Sequence, residues 1–187
     1  MKIIKLLILL LVACSLSAKA GVVKISGSLK QFGLDRVSMN SDGIAAEVYH
    51  DRTIEIILDS NGRFDLKLKL KQPAYYKVGH NTLYLTPGDD LEIIFNRNTT
   101  KTTFNGKGIE ANNYLRNSAK LSGWEIAKIG RELNEFGLPK EKVSFEVYRY
   151  KVDSIVDASL DALAHLTAVT PEFRELEQIR LEAYRLA

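Results

Sequence analysis

Two glycines flanking a lysine form the stretch of this sequence that most resembles a phosphate-binding loop. The stretch FNGKGIEANNYL, residues 104–115, places Gly106, Lys107 and Gly108 directly before a segment of helical character. Backbone N–H groups at a glycine-rich helix start can hold a phosphate. A Walker loop also needs a serine or threonine after the lysine, and a dinucleotide fingerprint needs a third glycine in a βαβ unit. Because the sequence has neither feature, the pattern favours a structural junction over a phosphate site.

We therefore predict that this stretch is a hinge between a β-domain and a helical region. Phe104 is expected to end the last strand and to anchor in the core. Gly106 and Gly108 permit a sharp turn, after which two large side chains pin the new helix against the sheet. The predicted hinge residues are Phe104, Gly106, Gly108, Asn112, Tyr114 and Leu115.

Other residue types that could carry a site do not form a catalytic pattern. The three histidines, His50, His80 and His165, lie far apart and lack the short spacing of a metal site. Asp89 and Asp90 could form a calcium corner, but a turn already accounts for them. We predict no catalytic, cofactor-binding or metal-ligating residue in the chain.

Aromatic residues offer a different kind of site. An exposed aromatic strip on a sheet could bind a glycan or a peptide. Tyr75 and Tyr76 alternate on one predicted strand, so at least one of them is expected to face the core. The remaining members of the candidate set are Tyr84, Trp124, Tyr148 and Tyr150.

The N-terminal segment has the pattern of an export signal. Lys2 and Lys5 precede an apolar run over residues 6–16, which is shorter than the roughly 20 residues needed to span a bilayer. Cleavage after the Ala18-Lys19-Ala20 triplet would leave Gly21 first, so residues 1–20 would be the signal. A lipobox reading of residues 11–14 would instead end the signal at residue 13 and leave a lipidated Cys14. Either reading predicts an exported protein that is periplasmic or lipid-anchored to an envelope membrane.

The net charge of +3 of the chain comes from the three lysines of the same N-terminal segment. Removal of Lys2, Lys5 and Lys19 reduces the basic residues from 26 to 23, equal to the 23 acidic residues. A neutral mature chain gives no support to nucleic-acid binding. Cys14 is the only cysteine, so the body of the protein can form no disulfide and no cysteine metal site.

Residues 21–108 have the pattern of an antiparallel β-domain. Apolar and polar side chains alternate in VKISGSL and on both sides of Asn61-Gly62, where we predict a hairpin. Two further hairpins are predicted around Gly79-His80-Asn81 and around Pro87-Gly88. Residues 35–39 and 45–50 are weaker strand candidates. Seven or eight strands would form a sandwich or a partly open barrel.

Residues 109–187 change to a helical period. We predict helix over 109–136 with a break near Ser122-Gly123, and then a helix with Pro139 in its first turn. A last helix has Thr170 as N-cap. Its predicted core-facing side chains are Phe173, Leu176, Ile179, Ala183 and Leu186. The fold class is therefore α+β, with three to four helices packed on the β-domain.

The apolar spacing of the last predicted helix continues to Ala187 without a C-terminal capping residue. We expect a chain truncated before a further domain, the alternative being a native terminus with a frayed last turn.

Four features of the sequence together resemble one family. These features are the N-terminal export pattern, the β-domain opening ISGSL, the TPGDDLEI turn and the F-x-G-x-G-x-x-x-N-x-Y-L stretch. They are similar to the N-terminal accessory region of TlpA-like envelope thiol–disulfide oxidoreductases. The resemblance covers nearly the whole chain and implies a thioredoxin-fold domain with a Cys-x-x-Cys motif after it. This chain contains no such motif, so no redox residue can be carried over.

Two functions follow as expectations. The first is a non-catalytic envelope module that supports or positions a thioredoxin-like domain, in cis or in trans, with membrane anchoring by lipid at Cys14. The parent protein would then be a thiol–disulfide oxidoreductase. The alternative is a stand-alone envelope protein that recognises a glycan or a peptide.

Overall fold

The computed structural model of the protein describes residues 20–41, 53–118, 131–133, 139–142 and 144–186. The described strands are β1 (Gly21–Ser28), β2 (Arg36–Ser41), β3 (Thr53–Ile57), β4 (Arg63–Leu70), β5 (Ala74–Val78), β6 (Asn81–Leu85), β7 (Asp90–Ile94), β8 (Thr103–Lys107), β9 (Arg131–Leu133) and β10 (Pro139–Lys142). The described α-helices are α1 (Ile109–Asn117), α2 (Phe145–Ala164) and α3 (Pro171–Ala183).

Eight of these strands form two open four-stranded sheets. Sheet A has the order β4-β1-β7-β8, in which β1 and β7 are parallel and the other neighbours antiparallel. Sheet B has the order β3-β2-β5-β6 and is antiparallel throughout. The predicted α+β class is confirmed, with sandwich-like packing of the sheets followed by helices.

The space between the two sheets is filled by the apolar half of each alternating strand. In β1, Val23 and Ile25 are buried while Lys24 is exposed. Because successive side chains of a strand point to opposite faces, the same alternation supplies a buried row from each neighbour. The sandwich core contains Val23, Ile25, Leu29, Met39, Ile56, Leu58, Phe64, Leu70, Tyr76, Val78, Leu83, Leu85, Leu91, Ile93 and Phe95.

Two of the three predicted hairpins are wrong. β3 pairs with β2 and β4 pairs with β1, so the chain crosses from sheet B to sheet A at Asn61-Gly62. It crosses again between β6 and β7, at Pro87-Gly88. Alternation identifies the buried face of a strand but not its partner, so a tight turn fits a crossing between packed sheets as well as a hairpin. The hairpin around Gly79-His80 is present, with Tyr75 opposite Tyr84.

Some predictions fall on residues that the structure does not describe. Residues 1–19, with the predicted signal and Cys14, lie outside the described ranges, as do His50 and Trp124. The same holds for the weaker strand candidate at 45–50 and the predicted helix break near residue 122. The other weak candidate, at 35–39, corresponds to β2.

The predicted helix over residues 109–136 is wrong in part. α1 ends at Asn117, and Arg131–Leu133 forms a strand that pairs with Pro139–Lys142. Pro139 therefore begins β10 instead of a helix. Proline fits the first residue of a strand because the N–H that it lacks need not enter a ladder there. α2 begins later, with Ser144 as N-cap, whose hydroxyl accepts from Val147 N–H at 3.4 Å.

The three helices pack on the outer face of sheet B and form a second core. Phe173 lies at its centre, with its ring centroid 4.8 Å from that of Tyr84 and 6.0 Å from that of Tyr114. The buried members are Tyr84, Ala111, Tyr114, Leu115, Val152, Val156, Leu163, Phe173 and Leu181. None of the described helices has the length and apolar character needed to cross a membrane.

Candidate functional site

The predicted hinge is built from a strand and a helix start. Phe104 is the second residue of β8, so the prediction that it ends the strand is wrong; its partly buried ring packs against the sandwich core. Gly106 also lies within β8, with φ of 101°. A Cβ at Gly106 would lie 2.1 Å from the carbonyl oxygen of Asp90, so glycine permits the close approach of β8 to β7. The turn into α1 is made at Gly108, the N-cap, with φ of 97°.

Asn112 clamps α1 to the edge of sheet B. Its side-chain oxygen accepts a hydrogen bond from Tyr84 N–H at 2.9 Å, and its amide nitrogen donates to the Tyr84 carbonyl at 2.9 Å. The same amide nitrogen also donates to the Gly108 carbonyl at 2.9 Å. β6 is an edge strand, so this fully buried carboxamide supplies the pairing that a further strand would have given to Tyr84.

The next residues of α1 connect it to the other elements. The Tyr114 hydroxyl donates to the Ser159 carbonyl of α2 at 3.0 Å, and burial raises the pKa of Tyr114. Leu115 is buried in the second core. Arg116 donates to the Thr102 carbonyl at 2.8 Å. A single short helix thus joins sheet B, α2 and the segment before β8.

The most polar part of the sheet–helix interface surrounds Glu177. This glutamate of α3 is 0 % exposed. Arg180 donates to both of its carboxylate oxygens, from Nε at 2.7 Å and from Nη2 at 2.6 Å. The Tyr75 hydroxyl of β5 donates to the same carboxylate at 3.1 Å, and Arg180 donates to the Tyr184 hydroxyl at 2.7 Å. We call Tyr75, Glu177, Arg180 and Tyr184 the buried polar cluster.

The electrostatics of this region favour a charged Arg180 and neutral tyrosines. Burial alone would lower the pKa of Arg180, but hydrogen bonding to Glu177 and attraction by its carboxylate raise that pKa overall. Burial and the charge of Glu177 raise the pKa of Tyr75. Burial raises the pKa of Tyr84 to about 12. The carboxylate is occupied by an arginine fork and a tyrosine hydroxyl, so the cluster is suited to fixing α3 in place.

The sequence pattern did not reveal this cluster. Of the five predicted core-facing side chains, Phe173 is buried as predicted, whereas Leu176, Ile179, Ala183 and Leu186 are exposed. The buried residues of α3 are Phe173, Glu177 and Leu181, spaced by four. A glutamate inside an otherwise apolar spacing, with an arginine three residues later, is the signal that could have identified the pair.

The tyrosines of the candidate aromatic strip on sheet B are covered by other parts of the protein. Tyr76 faces the sandwich core and is buried, while Tyr75 and Tyr84 lie opposite each other beneath the helices. The expectation that at least one of Tyr75 and Tyr76 faces the core is met by Tyr76, and α3 covers the sheet face on which Tyr75 and Tyr84 lie. The Tyr84 hydroxyl is buried without a hydrogen-bond partner in the described part of the chain.

An open groove of about 680 Å³ runs between α1 and α2. Its volume falls in the range of roughly 300–1,000 Å³ that is usual for ligand sites. One wall carries Glu110, Asn113 and Asn117, one helical turn apart, while Ile155 and Ala162 contribute apolar surface on the other. The arrangement could hold a group with an apolar face and hydrogen-bonding edges.

The remaining candidate residues have structural positions. Asp89 is buried and accepts from Thr86 N–H at 2.7 Å, which holds the turn before β7. Burial raises the pKa of Asp89, although the hydrogen bond from Thr86 opposes that shift. His80 and His165 are both exposed and belong to different elements. Within the described ranges, no three potential ligand side chains come together to hold a metal ion.

Comparison with known proteins adds no further assignment. A scan against protein-family models gave no match, and neither did searches of curated proteins and of solved structures.

Proposed function

We propose that the protein is a non-catalytic accessory module of the cell envelope that supports or positions a thioredoxin-like domain, in cis or in trans. The observation that carries the proposal is an exposed apolar stripe on α3. Leu176 and Ile179 lie on one side of α3 and are 37 % and 59 % exposed, and Leu186, in the turn that follows the helix, is 91 % exposed. We call these three residues the α3 stripe. Contiguous apolar surface of this kind is typical of protein contacts.

The support beneath the stripe makes it a suitable docking surface. Phe173 inserts between Tyr84 and Tyr114 on the inner side of α3. Glu177, whose carboxylate Arg180 holds within the helix, accepts from Tyr75 and so joins the same helix to sheet B. A partner that packs on the α3 stripe would therefore meet a helix whose position is already fixed, which lowers the entropic cost of binding.

The nature of the partner comes from the family resemblance of the sequence. TlpA-like oxidoreductases place a thioredoxin-fold domain after a region of this kind. The proposed envelope location rests on the N-terminal export pattern, with either a soluble periplasmic product or lipid attachment at Cys14.

Site-specific cross-linking in the cells that naturally make the protein tests this function. A photo-reactive amino acid at Ile179 samples the α3 stripe, and the same group at the exposed Gln178 is the matched control. We expect Ile179 to cross-link to a thioredoxin-fold domain, within the same polypeptide or in a separate one, and Gln178 to give much less product. Cross-linking only to a second copy of this region, or equal products from both sites, would overturn the proposal.

A second candidate function is recognition of a peptide or a glycan by a stand-alone envelope protein. The groove between α1 and α2 is the observation that favours it, because carboxamides line one wall and apolar side chains the other. A variant with Asn113→Ala and Asn117→Ala should then weaken retention on peptide or glycan arrays without changing stability. Failure of the wild-type protein to bind either array would exclude this candidate.

A further inference from the structure

A row of lysines crosses the outer face of sheet A. The strand registers place Lys67, Lys24, Asp90 and Lys107 side by side on four neighbouring strands. All four residues are exposed. Lys24 lies directly opposite Lys67, and its ammonium is 3.4 Å from a carboxylate oxygen of Asp90. This row therefore sets three cations against one anion.

Two more lysines extend the row at the same end of the sheet. Lys69 lies opposite Val22, and the exposed Lys71 follows β4 directly. We call Lys24, Lys67, Lys69, Lys71 and Lys107 the lysine face. Like charges placed directly opposite each other destabilise a sheet. Lysines on an edge strand such as β4 can prevent aggregation, but Lys24 lies on the inner strand β1, where that role does not apply.

The lysine face lies at the end of sheet A where the chain enters. Gly21, the first residue of β1, pairs with Leu70. The apolar run at residues 6–16 precedes this point, and Cys14 lies seven positions before Gly21. An extended chain spans at most about 3.5 Å per residue, so a membrane-attached Cys14 would keep this end within roughly 25 Å of the lipid surface.

The chemistry of the face fits a diffuse anionic surface. All five cations are lysines, and lysine is a hydrated point charge without the planar fork that arginine offers to a single phosphate or carboxylate. Several such charges on a flat sheet gain by summing weak attractions to many headgroups. The balance of 23 basic and 23 acidic residues after residue 20 makes a general attraction to polyanions a poor explanation.

We propose that the lysine face is the surface by which the protein lies against an anionic lipid bilayer. The proposal rests on the envelope location given above. It orients the molecule with the lysine-bearing end of sheet A toward the lipid, since Asp65 and Glu92 lie one row further along the same face, and it identifies the acidic headgroups of that membrane as the ligand.

Vesicle co-sedimentation with the full chain tests the proposal. The probe is vesicles of phosphatidylglycerol and phosphatidylethanolamine, at a lipid concentration that binds half of the wild type. The variant Lys67→Gln/Lys69→Gln/Lys71→Gln removes three charges from the lysine face. The control Lys30→Gln/Arg97→Gln/Lys101→Gln removes three exposed charges near the opposite end of the sandwich. The apolar N-terminal run is present in every protein, so it cancels in the comparison.

We expect the lysine-face variant to lose roughly 100-fold in partitioning, at about five-fold for each lysine, and to bind phosphatidylcholine vesicles as the wild type does. The control variant should retain the wild-type preference for anionic lipid. Equal losses in the two variants, or no loss in either, would overturn the proposal. Fractionation of wild-type cells tests the envelope location separately, since a cytoplasmic chain would contradict that location whatever the vesicles show.

Discussion

The two faces of sheet B are stabilised by different kinds of interaction. On the inner face, Tyr76, Val78, Leu83 and Leu85 enter an apolar core shared with sheet A. On the outer face, beside the apolar second core, Tyr75 meets the buried Glu177, which pairs with the partly exposed Arg180. Apolar packing is non-directional and tolerates exchanges of similar volume. A buried ion pair depends on both partners being present.

This difference predicts how the stability of each face of sheet B should respond to substitution. The inner face should lose stability gradually, in proportion to the volume removed. On the outer face, removing one charge of the Glu177–Arg180 pair should lower the free energy of unfolding strongly. Removing both charges should restore most of that free energy.

Replacing Arg180 by methionine should have the largest effect. It leaves the fully buried Glu177 without its cation, which should lower the free energy of unfolding by about 3–5 kcal/mol. The double variant Glu177→Leu/Arg180→Met should recover most of that loss, apart from about 1 kcal/mol for the unpaired Tyr75 hydroxyl. Urea denaturation of the single and double variants measures both values. A double variant no more stable than Arg180→Met would contradict the contrast, and Leu85→Ala serves as the inner-face reference.

Asn112→Ala should come next. It removes the three hydrogen bonds that join α1 to Tyr84 and Gly108, leaving buried backbone groups without partners. We expect a loss of about 2–3 kcal/mol in the free energy of unfolding. The neighbouring Asn113→Ala is the matched control, because that partly exposed side chain lines the groove and should change stability by less than about 0.5 kcal/mol. Equal losses would argue against the clamp.

Alkaline pH should destabilise the outer face. The pKa of Tyr84 is about 12 in the folded protein and near 10 when unfolded. Because the folded pKa is the higher one, this contribution is fully present below pH 10 and is lost as the pH rises through 12. Ionisation of Tyr84 should lower the free energy of unfolding by about 2 kcal/mol over that window, in addition to the falls caused by Tyr75 and Tyr114, whose pKa values burial also raises. Urea titrations at several pH values measure the fall, which Tyr84→Phe should reduce; an unchanged fall in that variant would contradict the assignment.

The smallest effects compare two hydroxyls that face each other across β5 and β6. Tyr75→Phe removes the donor to Glu177 and should cost about 1–2 kcal/mol. Tyr84→Phe removes a buried hydroxyl that has no hydrogen-bond partner among the described residues. It should therefore change stability by no more than about 0.5 kcal/mol at neutral pH. Thermal unfolding of the two variants checks the difference, and similar shifts would contradict a stabilising hydrogen bond from Tyr75 to Glu177 on this outer face.

The sequence predicted the inner face better than the outer one. Alternation in residues such as Val23 and Ile25 identified the buried side of each strand, because that pattern is local and has a period of two. The partner of each strand was harder to predict, since the turns at Asn61-Gly62 and Pro87-Gly88 are compatible with a hairpin or with a crossing between sheets. The local pattern could not choose between these outcomes.

The outer face depends on residues that are far apart in the chain. Tyr75 and Glu177 are separated by 102 positions, so neither residue gives a local indication of the other. α3 has two apolar sides, and the predicted core face combined residues of both, Phe173 from one and Ile179 from the other. Tertiary contact with Tyr84 and Tyr114 instead selects the side that contains Phe173 and Glu177.

The parallel pairing of β1 with β7 has a consequence for the order of folding. β1 is the first described strand, yet it lies inside sheet A, and Lys24 and Asp90 meet across 66 positions of sequence. Contacts of such long range slow folding, since a large loop must close before they form. If the chain crosses a membrane with its N-terminus first, one edge of β1 stays unpaired until residue 94 has followed. During that interval, β1 is the strand most open to pairing with another copy of the chain.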